Sequence, residues 1–247
     1  MLAEIPAEQF QFALEAAAAE VLRDAQVESP PVDCFVLAER LGLTVARDGW
    51  GVGRGRFVRV AAGSRPRPTI LLGDDPRPER LQWALAHEIG ESVAWRVFRR
   101  LAADPRDAGD AAREGIANRL AGSLLLPREW LIDCGARCDW DLLELKTQFA
   151  TASHELIARR MLEMPPPVIV TLFDQGAPVW RRSNALPRAP RLSDAEWAAW
   201  RTAHHSARPA RAQNCECMEG IADVRAWPVH EPGWRREIIR TELQSWW

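Results

Sequence analysis

The stretch "ALAHEIGESVAW", residues 84–95, contains the residues on which the prediction of the fold depends. It places His87 beside Glu88 and puts Glu91 four residues after the histidine. In an α-helix, positions 87 and 91 lie one turn apart on the same face, whereas position 88 points elsewhere. The spacing is that of H-E-x-x-H, in which two imidazoles hold zinc and the glutamate accepts a proton from the attacking water. Because Glu91 replaces the second histidine, the stretch is either a changed metal site or an ordinary amphipathic helix.

The motif lies within a longer helical pattern. Apolar residues that repeat every four positions predict a helix over residues 78–101. The repeating residues are Leu81, Leu85, Ile89, Val93 and Val97. A second helix carries "EGIANRLAGSLLLP", residues 114–127, and ends before its proline. A catalytic zinc needs a third protein ligand. Glu114 is the best candidate, because an antiparallel return of the chain after residues 102–110 would bring it beside His87.

The flanking sequence predicts an α+β fold. Three short segments rich in valine and isoleucine, at residues 43–46, 55–61 and 68–72, predict a small N-terminal sheet. Residues 141–163 have the outline of a helix-turn-helix pair. We therefore predict a mainly helical, zincin-like metallopeptidase domain over residues 1–164, which includes this pair. Residues 165–247 are predicted to form a β-hairpin, which turns at Gln175–Gly176, and a β-containing C-terminal extension of uncertain fold.

Composition limits the classes of function. The 247 residues are 47% hydrophobic, which is enough for a sizeable core. The chain lacks a long apolar run and a secretory signal at its start, so we expect a cytoplasmic protein without a membrane partner. The formal net charge of −2 gives no broad cationic surface, so direct binding to nucleic acid is not expected. The sequence leaves the oligomeric state open.

Several blocks of the chain together resemble the ImmA/IrrE family of metallopeptidases, over about residues 31–182. The blocks are "PVDCFVLAERLGLTV", "LQWALAHEIGE", "EGIANRLAGSLLLP", "LKTQFATASHELIARRM" and "VIVTLFDQGAPVWR". The resemblance implies zinc-dependent cleavage of helix-turn-helix transcriptional repressors, in stress responses or in the control of mobile elements. It also implies that His87 and Glu114 are metal ligands and that Glu88 is the general acid/base.

The chain departs from the family pattern at Glu91. One imidazole and two carboxylates cancel the charge of a divalent cation, so the attacking water is acidified less than with two imidazoles. Harder ions such as manganese then compete better with zinc. We predict an endopeptidase with zinc, or alternatively manganese, held by His87, Glu91 and Glu114, and with Glu88 as the catalytic residue.

Two alternatives remain at this point. The fold could be an inactive pseudopeptidase that acts as a protein-binding regulatory module, with Glu91 marking lost catalysis. It could instead be a DNA-binding regulator that uses residues 141–163, in which Arg159 and Arg160 would contact phosphate.

Weaker signals lie outside the motif. Five cysteines cannot all pair, and we expect reduced thiols. A second zinc site is the alternative, with ligands drawn from Cys134, Cys138, Cys215, Cys217, His204, His205 and His230. The chain has no tyrosine to stabilise an oxyanion, which leaves His154, Arg159, Arg160 or a sheet-edge amide for that role.

Overall fold

The structure is a computed structural model that describes residues 5–52, 55–62, 65–213, 220–231 and 233–244. For the described residues among 48–67 and for Gln213, it describes the backbone alone. Cys215 and Cys217, which were considered for a second zinc site, lie outside the described residues. The chain divides into two compact units, the first formed by residues up to Trp140 together with Leu145–Ser153, and the second by the remainder. The domain boundary at residue 164 stays a prediction.

The first unit consists of helices and a small sheet. Its elements are α1 (Ala7–Asp24), α2 (Cys34–Arg40), β1 (Thr44–Val52), β2 (Gly55–Ala62), β3 (Arg65–Asp74), α3 (Pro78–Val93), α4 (Trp95–Arg100), a 3-10 turn (Pro105–Asp107), α5 (Asp110–Leu125) and α6 (Arg128–Arg137). Helix α7 (Leu142–Gln148) has residues in both units. The strand order is β1-β3-β2, with β1 parallel and β2 antiparallel to β3. The predicted small sheet is therefore present, and each strand is longer than predicted.

The helix predicted over residues 78–101 is interrupted at Ala94. The Ala94 amide bonds to the Glu91 carbonyl, three residues earlier, at 3.3 Å. The Ser92 hydroxyl donates to the Ile89 carbonyl at 2.7 Å. A hydroxyl that bonds back to its own helix competes for a backbone acceptor and favours a bend. The motif helix therefore ends within one turn of Glu91.

A buried amide fixes helix α3 against the start of α2. Gln82, with 8% of its surface exposed, accepts from the Cys34 amide at 2.7 Å through its oxygen. Its nitrogen donates to the Asp33 carboxylate at 3.0 Å. The same carboxylate caps α2 by accepting from the Phe35 amide at 2.9 Å. Because Gln82 lies five residues before His87, these bonds hold the helix that carries the motif.

Helices α3 and α5 pack closely at Gly90. A Cβ atom at this glycine would lie 2.9 Å from the Ala117 carbonyl oxygen and 3.2 Å from the Leu120 Cβ. Gly90 faces Ala117 and Leu120, whereas His87, three residues earlier, contacts Glu114, three residues before Ala117, and Asn118, two residues before Leu120. The partners thus advance in the same direction along both helices. The antiparallel return expected from the sequence is wrong, because α4 and the 3-10 turn carry the chain back before α5 begins.

The second unit is built on an antiparallel sheet. Its elements are α8 (His154–Met161), β4 (Val168–Asp174), β5 (Ala177–Ser183), α9 (Asp194–Ser206), β6 (Ala210–Gln213), β7 (Ile221–Pro228) and β8 (Arg236–Leu243). The strand order is β5-β4-β8-β7-β6, and all neighbours are antiparallel. The predicted hairpin is present: Gln175 and Gly176 turn the chain with φ angles of 50° and 82°, as a two-residue turn with two left-handed positions requires.

Helix α9 covers one part of this sheet. It begins with a capping box, in which the Ser193 hydroxyl and the Glu196 carboxylate satisfy each other's backbone amides. The core beneath it is formed by Phe173, Ala195, Ala199, Ala203, Val224, Ala226 and Ile239. The extension whose fold the sequence left uncertain is therefore a helix packed on sheet strands. The α+β class is confirmed, and none of the described helices combines the length and hydrophobicity needed to cross a bilayer.

Candidate metal centre

His87 is held in one orientation by a residue of α5. Its Nδ1 atom lies 3.1 Å from the Asn118 Oδ1 atom. Because an amide oxygen only accepts hydrogen bonds, this contact requires a proton on Nδ1 and leaves Nε2 as the ring nitrogen that faces away from Asn118. The side chain is 16% exposed, and Nε2 lies 3.6 Å from the Glu114 Oε2 atom. A hydrogen bond from Nδ1 to an amide oxygen, with Nε2 directed at a carboxylate, is also how metal-ligating imidazoles are oriented.

The two glutamates of the motif lie beside the histidine on α3. One potential ligand atom from each of His87, Glu88 and Glu91 falls within 4.8 Å of the others. Glu88 is 4% exposed, whereas Glu91 is on the exposed surface. The buried position separates the proposed base from solvent, and the exposed position gives the Glu91 carboxylate freedom to move toward an ion.

Glu114 reaches the same imidazole from α5. Its side chain is 63% exposed, and one carboxylate oxygen faces His87 while the other accepts from the Asn118 amide at 3.2 Å. The structure thus brings His87 next to Glu114 from α5 and, on α3 itself, next to Glu88 and Glu91, but it does not bring Glu114 into the group of ligand atoms that lie within 4.8 Å of one another. The assignment of His87, Glu91 and Glu114 as metal ligands, and of Glu88 as the catalytic residue, stays a prediction.

Asn118 is the residue that the sequence reasoning missed. It bridges His87 and Glu114 through the two ends of its amide. A signal was present in the sequence, because Asn118 follows Glu114 by four residues and therefore lies on the same face of a helix. Residues in such positions orient metal ligands without touching the metal.

The Asn118→Ala variant is expected to bind zinc about 10- to 100-fold more weakly than the parent protein, because neither the imidazole nor the carboxylate is then held. Isothermal titration with zinc after chelator treatment measures this loss. Arg113→Ala, at an exposed position of the same helix, is the matched control and is expected to leave the affinity unchanged. Equal affinity of Asn118→Ala and the parent would show that the amide has no positioning role.

The residues present suit a divalent metal ion. Imidazole nitrogen and carboxylate oxygen are both zinc ligands, at about 2.0–2.2 Å from the ion. The 3.6 Å between the His87 nitrogen and the Glu114 oxygen is compatible with two ligands of one ion at that distance.

A comparison with protein families finds a family model that covers the helices of this site. The family described as the IrrE N-terminal-like domain, Peptidase_M78, matches residues 38–161, which include α3, α5 and all four predicted site residues. The chain belongs to the Peptidase_M78 family. No curated protein sequence is significantly similar to it. Membership of Peptidase_M78 makes it a metallopeptidase-like or regulatory protein, in a family whose members use a metal ion.

A solved structure has the same fold as this Peptidase_M78 member. It is a Mycobacterium tuberculosis transcriptional regulator, with 16% sequence identity and a TM-score of 0.66, over 96% of this chain and 81% of that one. The similarity extends past the family domain and includes most of the second unit.

Two arginines considered for other roles are engaged within the second unit. Arg159 bonds to Glu155 at 2.8 Å and lies over the Trp180 ring. Arg160 is 3% exposed and paired with Glu163. Arg160 is therefore not placed to contact a phosphate from solvent. That direct nucleic-acid binding is not expected, and that a residue such as His154 or Arg159 stabilises the oxyanion, stay predictions.

Proposed function

We propose that the chain is a metal-dependent endopeptidase, most simply with zinc, that cuts a protein substrate of the helix-turn-helix repressor class. The ligands are His87, Glu91 and Glu114, and Glu88 is the general acid/base. Cleavage of the repressor would relieve repression in a stress response or in a mobile element, as the resemblance to the ImmA/IrrE metallopeptidases implies.

The observation that carries the proposal is the position of His87 between acidic side chains of two helices. Its Nε2 atom faces Glu114 from α5 at 3.6 Å, and a carboxylate of Glu91 lies one turn along α3. Its other nitrogen is occupied by Asn118. An amphipathic helix does not require an imidazole that is oriented by an amide through one nitrogen and directed at a carboxylate of another helix through the other, whereas this arrangement supports a role as metal ligand.

The reaction follows from the roles of these side chains. His87, Glu91 and Glu114 would hold a divalent ion, which would supply polarisation of the peptide carbonyl and of the attacking water. Asn118 keeps the side chains of His87 and Glu114 aligned. Glu88 accepts the proton that the water loses and passes it to the leaving amine. Its low exposure keeps bulk solvent from competing for that proton.

The charge of the ligand set determines how strongly the water is activated. Two carboxylates and one neutral imidazole cancel a dication, so the polarisation is weaker than with two imidazoles. We expect the Glu91→His variant to cleave the substrate faster than the parent at neutral pH, because the net charge of the centre rises by one. Initial rates at equal metal occupancy measure this difference.

The experiment uses the full chain, purified without chelator and analysed for bound metal. It is then incubated with a helix-turn-helix repressor encoded beside its gene, and products are identified by mass spectrometry. We expect the parent protein to bind one metal ion per chain and to cut the repressor at one site. We expect the His87→Ala variant to lose the ion. A protein that holds the ion while neither it nor Glu91→His cuts the repressor would instead be a pseudopeptidase, and the endopeptidase proposal would be overturned.

The DNA-binding alternative is tested with the same purified protein, by measuring its binding to duplex DNA. Specific binding of the metal-loaded chain to duplex DNA, with a steep loss as salt rises, would support a regulator that contacts DNA. The burial of Arg160 and the acidic net charge argue against this result.

A further inference from the structure

A second group of metal-ligating side chains lies in the second unit. His204 comes from the last turns of α9, His230 from the connection between β7 and β8, and Glu237 from β8. The Glu237 Oε1 atom is 2.9 Å from His204 Nδ1 and 2.6 Å from His230 Nε2. One ligand atom from each of the three falls within 4.8 Å of the others.

Burial makes this cluster different from a surface ion pair. Glu237 is 0% exposed, whereas the two imidazoles are 17% and 22% exposed. A carboxylate taken fully out of water is costly unless charges or hydrogen bonds compensate for it. Both imidazoles converge on the same oxygen, and each is partly exposed to solvent. The cluster is therefore a buried anion with two nitrogen ligands at its entrance.

The atoms suit one small divalent ion. Ligand atoms that each lie about 2.1 Å from a tetrahedral zinc ion are about 3.4 Å from one another. The two nitrogen–oxygen distances of 2.9 Å and 2.6 Å would lengthen by about 0.5–0.8 Å to admit the ion. Two imidazoles and one carboxylate also form a common ligand set of zinc sites.

The surrounding side chains hold the ligands in place. The Trp200 indole N–H donates to the second oxygen of Glu237 at 3.1 Å. The same ring stacks on the His204 ring, with centroids 5.0 Å apart, and on Phe173. Strand β8 is paired on both sides, by β4 and β7. A ligating carboxylate that is itself hydrogen-bonded, on a rigid strand, is the arrangement that metal sites use.

We propose that His204, His230 and Glu237 form a divalent-metal site in the second unit, in addition to the centre at His87, and that zinc is the ion it fits. Cys215 and Cys217, which the sequence suggested as partners of these histidines, are not needed for the three-ligand set. Glu237 supplies the third ligand instead. It was not predicted, because a single glutamate in a strand has no spacing that marks it.

The test disables the metal centre at His87 by substitution and measures how many metal ions the remaining protein binds. The His87→Ala/Glu114→Ala double variant is stripped with chelator and titrated with zinc, and separately with cobalt, whose visible absorption reports its ligands. Expected is one equivalent of bound ion, with a rise in the temperature of unfolding. Binding of no ion by this variant would overturn the proposal.

Further substitutions in the same background distinguish ligation from simple hydrogen bonding. His230→Gln keeps an N–H that can reach Glu237, so the fold is retained, but zinc affinity is expected to fall by at least about 100-fold. Trp200→Phe keeps the ring and loses the N–H, and is expected to weaken binding about 10-fold. Arg208→Ala is the control, since this residue is exposed and lies after the end of α9. Unchanged zinc affinity in His230→Gln would overturn the assignment.

Discussion

Replacing Glu88 by glutamine is expected to lower kcat/KM for cleavage of the repressor by about 10²–10⁴-fold, the usual contribution of a general acid/base. Glutamine has nearly the same shape but cannot accept the proton that the attacking water must lose. Glu88 is 4% exposed, so water does not easily replace it as the base. Initial rates measured at saturating metal give the effect on catalysis.

The metal content of the Glu88→Gln variant distinguishes a general base from a metal ligand at this position. If Glu88 is the base, the Glu88→Gln protein binds the same amount of zinc as the parent, with equal affinity. A loss of metal would mean that Glu88 is itself a ligand, as its place within 4.8 Å of the His87 and Glu91 atoms also permits. Glu129→Gln, the same change at an exposed position of α6, is the matched control and leaves both quantities unchanged.

Replacing Gly90 by alanine is expected to destabilise the first unit and to weaken metal binding together. The new Cβ would lie 2.9 Å from the Ala117 carbonyl oxygen, closer than a carbon and a backbone oxygen tolerate. Because the obstacle is backbone, helix α5 must shift away from α3 as a whole. Glu114 and Asn118 lie on α5, so both contacts to His87 lengthen.

Gly115→Ala provides the matched control, since a Cβ there has no atom of the described residues within 4 Å. Both variants gain the same helix propensity from alanine. The free energy of unfolding of Gly90→Ala is therefore expected to be about 1–3 kcal/mol lower than that of Gly115→Ala, which is the cost of overpacking. Chemical denaturation of both proteins measures the difference. Equal stability would mean that the two helices are not in tight contact.

The pattern of the sequence was sufficient where local rules apply. The four-residue repeat of Leu81, Leu85 and Ile89 predicted α3, and Gln175–Gly176 predicted the hairpin turn, because helix periodicity and left-handed turn positions are local properties. The same rules failed at Ala94, where a side-chain hydroxyl and a three-residue backbone bond end the helix early. Such a competition is decided by a few hydrogen bonds that periodicity does not reveal.

The sequence by itself determined the α+β class, the family and the residue types of the motif, since these depend on spacing along one helix and on the order of blocks along the chain. Only the tertiary structure decided that Asn118 orients His87 and that Glu237 meets two histidines from distant segments. Both depend on which faces of separate elements pack together. The direction of α5 relative to α3 was predicted wrongly for the same reason: α4 and the 3-10 turn set the path between them, and helix periodicity contains no information about that path.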